Sequence, residues 1–428
     1  MVNAILRALF GSAPTAKASG TFMAGASAAT PDVATPSRSK ARAGINSRRG
    51  RRPFVTVIGL RGIPDVSGGI ETHCEYLYPR VADQNRTRDF LVIGRKPSMG
   101  DLRHRLRPNL SVLPLPAMSN RFMETISNTF LAILDARFRQ GSRIVHIHAV
   151  GPALLAPLAR ALGMKVVMTH HGDDYRRAKW NGFVKGILKT GERVGIGSAH
   201  QVIAVSRSLA ERLKREYPQK AGVIHYVPNG ADHILDEARS SKRSAEDWVA
   251  RFGLSGTPFM VSVGRLVPEK GFADLIRAYA IARPAARLVI VGGQSGSAHD
   301  AEIANLIAEK GLQDHVILTG AIPREGVAAL LSRANLFVLA SHHEGLPIAA
   351  LEAAAMSTPI LVSDIQPNLD LGLSSEHYFP VGDHEALARI LRNSWDSTPE
   401  ADVLSDFNWA RIATQTGRIY DSLGFEAS

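Results

Sequence analysis

Two glutamates in the second half of the 428-residue chain, Glu344 and Glu352, have a spacing that suggests chemistry. Pro347 lies between them and suits the first turn of a helix, which predicts Glu344 in a loop and Glu352 one to two turns into that helix. On a single helix, eight residues would separate the two acids by about 12 Å. That separation does not suit the facing carboxylates of a glycoside hydrolase. Two hydrogen-bonding roles on one ligand, toward a sugar and toward a ribose, fit better.

A basic pair, Arg265 and Lys270, follows the predicted strand 259–263. Arginine offers a forked donor and lysine a point charge, so the two side chains can converge on a diphosphate. The backbone N–H groups near Gly345 and Leu346, at the start of the helix that carries the second glutamate, can also face an anion. Two solvated surface cations are the alternative interpretation, and the position at a strand end favours the binding site.

A glycine pair, Gly68 and Gly69, follows the first predicted strand, residues 54–60, and precedes a predicted helix at 70–81. Glycine lets backbone N–H groups approach an anion closely, and the N-terminus of a helix adds positive potential. The segment lacks the lysine of a phosphate-binding P-loop, and a Gly-Gly pair is also a common turn. Its place after the first strand favours an anion site.

Strands and helices alternate along the chain, and this alternation positions the loops just described. Short β-branched apolar runs predict strands at residues 54–60, 90–93, 144–147, 166–169, 201–205, 259–263, 288–291, 316–318, 336–339 and 360–362. Helical patterns lie between them, for example at 121–139 and 206–216. The alternation predicts an α/β fold with two doubly wound, Rossmann-like domains joined near residues 230–255. Ligands of such sheets bind at the carboxyl ends of the strands, where these loops lie.

Several segments, taken together and in order, resemble the retaining GT-B glycosyltransferases of family 4. They are Gly68-Gly69-Ile70-Glu71, Ala204-Val205-Ser206, Pro228-Asn229-Gly230, Gly264-Arg265 with Lys270-Gly271, and the Glu344–Glu352 pair. The resemblance runs from residue 54 to about residue 423. Arg61-Gly62-Ile63-Pro64, with the Gly-Gly-Ile-Glu-Thr that follows, further resembles a bacterial subgroup of surface and exopolysaccharide synthesis that includes rhamnosyltransferase-like members.

The resemblance implies an organisation and an activity. A disordered basic tail (1–52) would precede an N-terminal domain on the acceptor side (53–235) and a C-terminal domain on the nucleotide-sugar side (236–405). A C-terminal helix (406–428) would pack back on the first domain, and the two domains would face a cleft. The activity would be retaining transfer of a sugar from a nucleotide-diphosphate sugar to a glycan or lipid-linked acceptor.

The resemblance also implies residue roles. Arg265 and Lys270 would bind the diphosphate and stabilise the departing nucleotide by electrostatics. Glu344 would contact the transferred sugar, and Glu352 the ribose. The donor nucleotide sugar is a substrate, so no cofactor is expected.

Further positions carry over from the family. Gly68 and Gly69 would approach the donor phosphate and the acceptor, and His171, which precedes a glycine, would lie near the donor sugar. A histidine bonded to backbone in a loop is the alternative for that position. Ser357 is a departure, because the family usually has glycine there, and we expect it to affect packing behind the helix.

Other histidines raise the question of a metal. His148 ends a predicted strand and can reach the cleft, although a packed core histidine fits its pattern equally well. The adjacent His170 and His171 would point in different directions in an extended segment. The sequence has no Asp-x-Asp and no HExxH, and its single cysteine excludes a cysteine-rich site. Metal-independent transfer is therefore expected.

The net charge of +12 is concentrated in the tail, whose nine basic residues and one acid leave only +4 for the other residues. Nucleic-acid binding is not expected, since no RNA- or DNA-binding motif accompanies this charge. We expect the tail to be a disordered, solvated segment. A transit peptide, which its arginine-rich and acid-poor composition resembles, and a contact with anionic lipid at the cytoplasmic face of a membrane are the alternatives. A cytoplasmic enzyme, with peripheral membrane contact as an open alternative, is expected. Arg176, Lys179 and Trp180 are candidates for the acceptor side.

Two other functions on the same fold remain open at this stage. A nucleotide-sugar epimerase would need acids and bases placed at the sugar C2, and a non-catalytic module would only bind the nucleotide sugar. The combination of the basic pair with the glutamate pair favours a transferase over both.

Overall fold

The computed structural model describes residues 54–101, 103–173, 182–293, 298–393, 396, 398–399, 401 and 405–424. The basic tail, residues 1–52, lies outside this part, as do Arg176, Lys179 and Trp180. None of the helices described is long and apolar enough to span a lipid bilayer.

The first sheet has eight strands: β1 Val55–Ile58, β2 Phe90–Arg95, β3 His104–Arg107, β4 Leu110–Leu115, β5 Ile144–His148, β6 Lys165–His170, β7 Gln201–Ala204 and β8 Ile224–Tyr226. Their order is β3-β4-β2-β1-β5-β6-β7-β8, and only β3 runs antiparallel to its neighbour. Strand β1 reads Val-Thr-Val-Ile and is buried at every position. Such continuous β-branched runs are typical of parallel strands covered on both faces.

The second sheet has six strands: β9 Phe259–Val263, β10 Arg287–Val291, β11 Val316–Gly320, β12 Leu336–Leu339, β13 Ile360–Ser363 and β14 Tyr378–Phe379. Their order is β11-β10-β9-β12-β13-β14, and all neighbours run parallel. In the two sheets the strand order reverses between β1 and β5 and between β9 and β12. The carboxyl ends of strands at such a reversal form the ligand crevice of a doubly wound sheet. The predicted class, two doubly wound α/β domains, is confirmed.

The described helices connect and cover the strands. They are α1 Gly69–Gln84, α2 Lys96–Met99, α3 Arg121–Leu134, α4 Val150–Ala153, α5 Ala156–Ala161, α6 Gly182–Ser198, α7 Arg207–Glu216, α8 His233–Ser240, α9 Ala245–Arg251, α10 Phe272–Ala282, α11 Ala298–Glu309, α12 Arg324–Arg333, α13 Ile348–Ala355, α14 Gln366–Leu369, α15 His384–Asn393 and α16 Trp409–Asp421.

Some predicted boundaries are wrong. The helix predicted at 121–139 is an α-helix only as far as Leu134. Residues Asp135–Gln140 extend it as a wider π-helical segment. The predicted domain junction near residues 230–255 contains the helices α8 and α9, and Ser244 and Asp247 form a capping box at the start of α9. The hydrogen bonds of this capping box stabilise the start of α9. Hydrophobic periodicity alone does not reveal such side-chain hydrogen bonds.

The last helix, α16, belongs to the core of the first sheet. Trp409 and Tyr420 are 0% and 1% exposed, and they pack in one apolar cluster with Tyr78 of α1 and Val55 of β1. Truncating a buried tryptophan typically costs about 3–5 kcal/mol, so this helix is a major part of that core.

Ser357, the departure from the family pattern, takes a left-handed backbone conformation with φ of 56°. It directly follows Met356, the C-cap of α13. The Ser357 N–H donates to the Ala354 carbonyl and the Thr358 N–H to the Ala353 carbonyl, both at 3.0 Å. This is the Schellman pattern, in which glycine is usual because a Cβ is disfavoured there. The difference therefore concerns backbone conformation, whereas we expected an effect on packing.

We predict that Ser357→Gly stabilises the protein by about 1 kcal/mol, because a left-handed residue other than glycine costs about 1–2 kcal/mol and glycine's greater freedom in the unfolded chain offsets part of the gain. Urea unfolding followed by circular dichroism measures the difference. The control is Ser357→Ala, which keeps the Cβ and should bring no gain. Equal effects of the two substitutions would contradict the explanation.

Candidate active site

The loops at the two strand-order reversals supply the candidate site. The first sheet contributes the start of α1, the end of β5 and the loop after β6. The second sheet contributes the segments after β9 and β12. These five segments, together with α13, carry the predicted site residues that lie in the described part of the chain.

Lys270 and Glu344 form an ion pair. Lys270 ends a short 3-10 turn, Pro268–Lys270, after β9, and Glu344 lies in the loop after β12. The Lys270 Nζ is 2.6 Å from the Glu344 Oε1, which also accepts a 2.7 Å hydrogen bond from the Ser341 hydroxyl. The two side chains are 20% and 9% exposed, so water screens the pair only in part. The sequence predicted separate roles on a ligand for these residues, and the structure joins them directly.

Arg265, the other member of the basic pair, directly follows Gly264 at the end of β9 and is exposed. The backbone beneath it is tightly packed, because a Cβ on Gly292 would lie 1.7 Å from the Gly264 carbonyl oxygen. Gly292, which was not predicted to be a site residue, therefore allows the backbone of the Arg265 loop to approach the end of β10 closely.

Gly345 brings the loop after β12 against the first domain. A Cβ on Gly345 would lie 1.9 Å from the His171 carbonyl oxygen, and one on Gly172 would lie 2.7 Å from the Gly345 Cα. The next residue, Leu346, is buried, and its carbonyl accepts a 3.3 Å hydrogen bond from the Asn229 amide. The backbone that was expected to face an anion is thus also a contact between the two domains.

Glu352 lies on α13, as its position after Pro347 predicted, and the structure shows that it is buried. Its Oε1 lies 2.8 Å from the His233 Nε2 and 3.7 Å from the Arg324 guanidinium. The Trp409 indole N–H donates to the His233 Nδ1 at 3.0 Å. Because an indole only donates, His233 Nδ1 is the acceptor, so the hydrogen of the neutral ring is on Nε2 and points at Glu352. The contacts of Glu352 with His233 and Arg324, and that of His233 with Trp409, were not predicted from the sequence.

Arg324 connects the same carboxylate to the first domain. Its guanidinium donates to the Thr72 hydroxyl at 2.7 Å, lies 3.9 Å from Glu75, and lies over the Tyr76 ring. A cation that holds Glu352 and helix α1 together fixes this carboxylate at the crevice.

The glycine pair begins α1, with Gly68 as its N-cap at φ of 147°. A Cβ on Gly68 would lie 2.2 Å from the carboxylate of Glu71, whereas a Cβ on Gly69 would meet no atom within 4 Å. Glu71 is buried and accepts from the backbone N–H of Arg61 at 3.0 Å. The first glycine therefore serves the loop conformation, and the second leaves open space at the helix N-terminus.

His148 and His171 belong to a buried hydrogen-bond chain. His148 Nδ1 is 2.9 Å from His171 Nε2, and His148 Nε2 is 2.7 Å from the Tyr78 hydroxyl. That hydroxyl lies 2.9 Å from His146 Nδ1, which is 2.7 Å from the Tyr420 hydroxyl. The chain joins the last helix to a predicted sugar contact.

The adjacent His170 points away from His171, as predicted for neighbouring residues in an extended segment. Its Nε2 bonds the Glu192 carboxylate at 2.7 Å, and Arg212 pairs with that carboxylate at 3.0 Å. Burial tends to raise the pKa of Glu192, but the hydrogen bonds and charges of His170 and Arg212 lower it to about 2.

Comparison with known proteins identifies the domains. Residues 67–234 match the model described as Glycosyltransferase Family 4, and residues 245–405 match Glycosyl transferases group 1, together more than half of the chain.

Curated relatives and solved structures agree. The putative teichuronic acid biosynthesis glycosyltransferase TuaC of Bacillus subtilis is 30% identical over 52% of this chain, which matches only 53% of that relative's length. A GDP-mannose-dependent α-(1-6)-phosphatidylinositol monomannoside mannosyltransferase of Mycolicibacterium smegmatis is 27% identical, over 70% of this chain and 77% of its own. Sucrose-phosphate synthase from Thermosynechococcus elongatus has the same fold, with a TM-score of 0.74 at 24% identity, covering 87% of this chain and 99% of its own. The chain is therefore a glycosyltransferase of the GT-B type, with a family 4 domain followed by a group 1 domain.

Proposed function

We propose that the protein transfers a sugar, with retention and without a metal, from a nucleotide-diphosphate sugar to a glycan or lipid-linked acceptor in surface polysaccharide synthesis. The observation that carries the donor half is the Lys270–Glu344 ion pair at the strand-order reversal of the second sheet. A partly exposed cation at that position, on the crevice of a group 1 domain, suits a diphosphate.

The ion pair gives the proposed mechanism a definite first step. A donor diphosphate offers Lys270 a stronger partner than one carboxylate, so the ammonium transfers its hydrogen bond from Glu344 to a phosphate oxygen. Glu344 then accepts a hydrogen bond from a hydroxyl of the donor sugar. Charge that develops on the leaving nucleotide is stabilised by Lys270, by Arg265 and by the N-terminus of α13.

Glu352 is positioned for the ribose in this proposal. Its Oε1 is held by the His233 Nε2–H at 2.8 Å and by the Arg324 guanidinium at 3.7 Å. A ribose hydroxyl would donate to that carboxylate. His171 would contact the sugar from the first domain, and Gly69 would let the phosphate or the acceptor approach the start of α1.

The acceptor half rests on the relatives. TuaC is named for teichuronic acid biosynthesis, and the mycobacterial relative is named for a lipid-linked mannoside. Both names fit a surface-glycan acceptor. A cytoplasmic enzyme with peripheral contact at the membrane, without nucleic acid as a partner, fits such acceptors.

The decisive experiment uses the full chain. A thermal-shift screen of UDP-, GDP- and dTDP-sugars identifies the donor, since a ligand that binds only the folded state raises the melting temperature. The donor is then incubated with candidate acceptors, and the anomeric configuration of the product is read by NMR. Nucleotide release together with a retained linkage supports the proposal. An epimerised donor, binding without turnover, or an inverted linkage would each contradict it.

We predict that Lys270→Ala lowers kcat/KM for the donor by about 100- to 1000-fold, as expected for loss of one charge-stabilising group at the leaving nucleotide. The control is Lys310→Ala. Lys310 directly follows α11 and also pairs with a glutamate, Glu309 at 2.9 Å, but it was not predicted to be a site residue. Steady-state kinetics with the identified donor measure both. Activity of Lys270→Ala within twofold of the wild type would contradict the assigned role.

We also predict that EDTA does not lower the transfer rate, because Lys270, Arg265 and the start of α13 stabilise the leaving group in the proposed reaction. The measurement is initial rate before and after exhaustive chelation. A rate that falls more than tenfold and is restored by Mg²⁺ or Mn²⁺ would overturn metal independence.

A further inference from the structure

Three histidines from three separate segments meet at the carboxyl edge of the first sheet. His73 lies in the first turns of α1, His148 ends β5, and His171 follows β6. Each histidine has a ring nitrogen that could bind a metal, and these three nitrogens all lie within 4.8 Å of one another. Their ring centroids are 4.9 to 5.5 Å apart.

The hydrogen bonds around His73 fix where its lone pair is. The Asn229 amide nitrogen donates to the Leu346 carbonyl, so the amide oxygen is the atom that faces His73. That oxygen only accepts, and it is 2.8 Å from His73 Nδ1, which therefore carries the ring hydrogen. The Nε2 of the neutral ring then has a lone pair, and it is buried without a hydrogen-bond partner.

His148 has the same arrangement of an outer partner and an inner nitrogen. The Tyr78 hydroxyl is bonded to its Nε2 at 2.7 Å, and its Nδ1 faces His171 Nε2 at 2.9 Å. Histidines that bind metals usually have such a partner on the second nitrogen, which fixes the tautomer and the ring orientation. Asn229 and Tyr78 are in the positions of those outer partners.

The rings are also in the protonation state that a metal needs. Burial lowers the pKa of His73 to about 4 and that of His148 well below its usual range. Burial, together with the neighbouring histidines, does the same to the pKa of His171. Neutral imidazoles bind metals without first releasing a proton.

A second cluster shows why the first is the better site. His170, Asp173 and Glu192 also have ligand atoms within 4.8 Å of one another. There, however, the Arg212 guanidinium pairs with both carboxylates, at 2.5 and 3.0 Å, and provides the positive charge that a metal would bring. The three-histidine cluster has no such cation among the described hydrogen bonds and ion pairs.

We propose that His73, His148 and His171 bind a transition-metal ion of the zinc class, with a fourth position for water or a crevice ligand. Three imidazoles and one open position are a common zinc arrangement, and imidazole favours zinc, copper or nickel over magnesium or calcium. Zinc–nitrogen bonds of about 2.0–2.1 Å place tetrahedral ligand atoms about 3.4 Å apart. The His148–His171 pair would open by about 0.5 Å to accept the ion.

A consequence of this site rests on the proposed function. A metal that holds His171 would remove it from the donor sugar, so zinc would inhibit a transfer reaction that itself needs no metal.

The test titrates the full, untagged chain with Co²⁺ and Zn²⁺. We expect one equivalent of Co²⁺ to give the intense visible absorption of tetrahedral nitrogen coordination, and Zn²⁺ to displace it. His73→Asn should weaken Zn²⁺ binding about 100-fold, and Asn229→Ala about 10-fold or more, the scale of outer-partner effects. The matched control is His225→Asn, since His225 is bonded to Gln201 on β7, away from the cluster.

Absence of the tetrahedral Co²⁺ spectrum in the wild-type chain overturns the proposal, and this arm needs no variant that might misfold. Equal Zn²⁺ affinity of His73→Asn and the wild type overturns it as well. In the activity arm, zinc should inhibit the wild type and inhibit His73→Asn at least 10-fold less effectively. Stoichiometric zinc binding without inhibition supports the metal site and contradicts the sugar contact assigned to His171, so the two failures can be told apart.

Discussion

One hydrogen-bonded bridge determines how the crevice is built. The indole of Trp409 donates to His233, and His233 donates to Glu352. Trp409 is in the core of the first sheet, whereas Glu352 is on the helix that begins at the crevice edge of the second. Each group in the bridge is buried, so an unpaired partner would cost about 1–3 kcal/mol. The bridge therefore fixes the tautomer of His233 and the position of a candidate ribose contact together.

A close approach of two loops is a second contact between the two domains. Gly172 and Gly345 meet backbone to backbone, which only glycines permit at this distance. The contact places His171 of one domain beside the Glu344–Leu346 loop of the other. Loops of both domains are thereby brought to one crevice, although each loop is anchored on its own sheet.

The sequence predicts the architecture well because the central strands, such as β1, β5, β9 and β12, are compact apolar runs that are largely buried on both faces. It predicts the place of Glu344 and Glu352 because Pro347 marks the helix start between them. It does not predict their partners. Glu352 meets His233, which is 119 residues away, and Lys270 meets Glu344 across 74 residues. Such contacts depend on which strand ends become neighbours, and local periodicity contains no information on that order. Short elements such as β8 and β14 were missed because two or three residues are too few for a pattern.

The last helix has a consequence for biosynthesis. All strands of the first sheet have been translated once synthesis passes residue 226. One of its apolar clusters, however, still lacks Trp409, Ile412 and Tyr420 at that point. That apolar cluster is completed only after nearly two hundred further residues, including the whole second sheet, have been translated. The amino-terminal half of the chain therefore lacks part of the apolar core that its sheet has in the whole protein. A nascent chain stalled after that half would expose apolar surface on α1, the kind of surface that molecular chaperones bind.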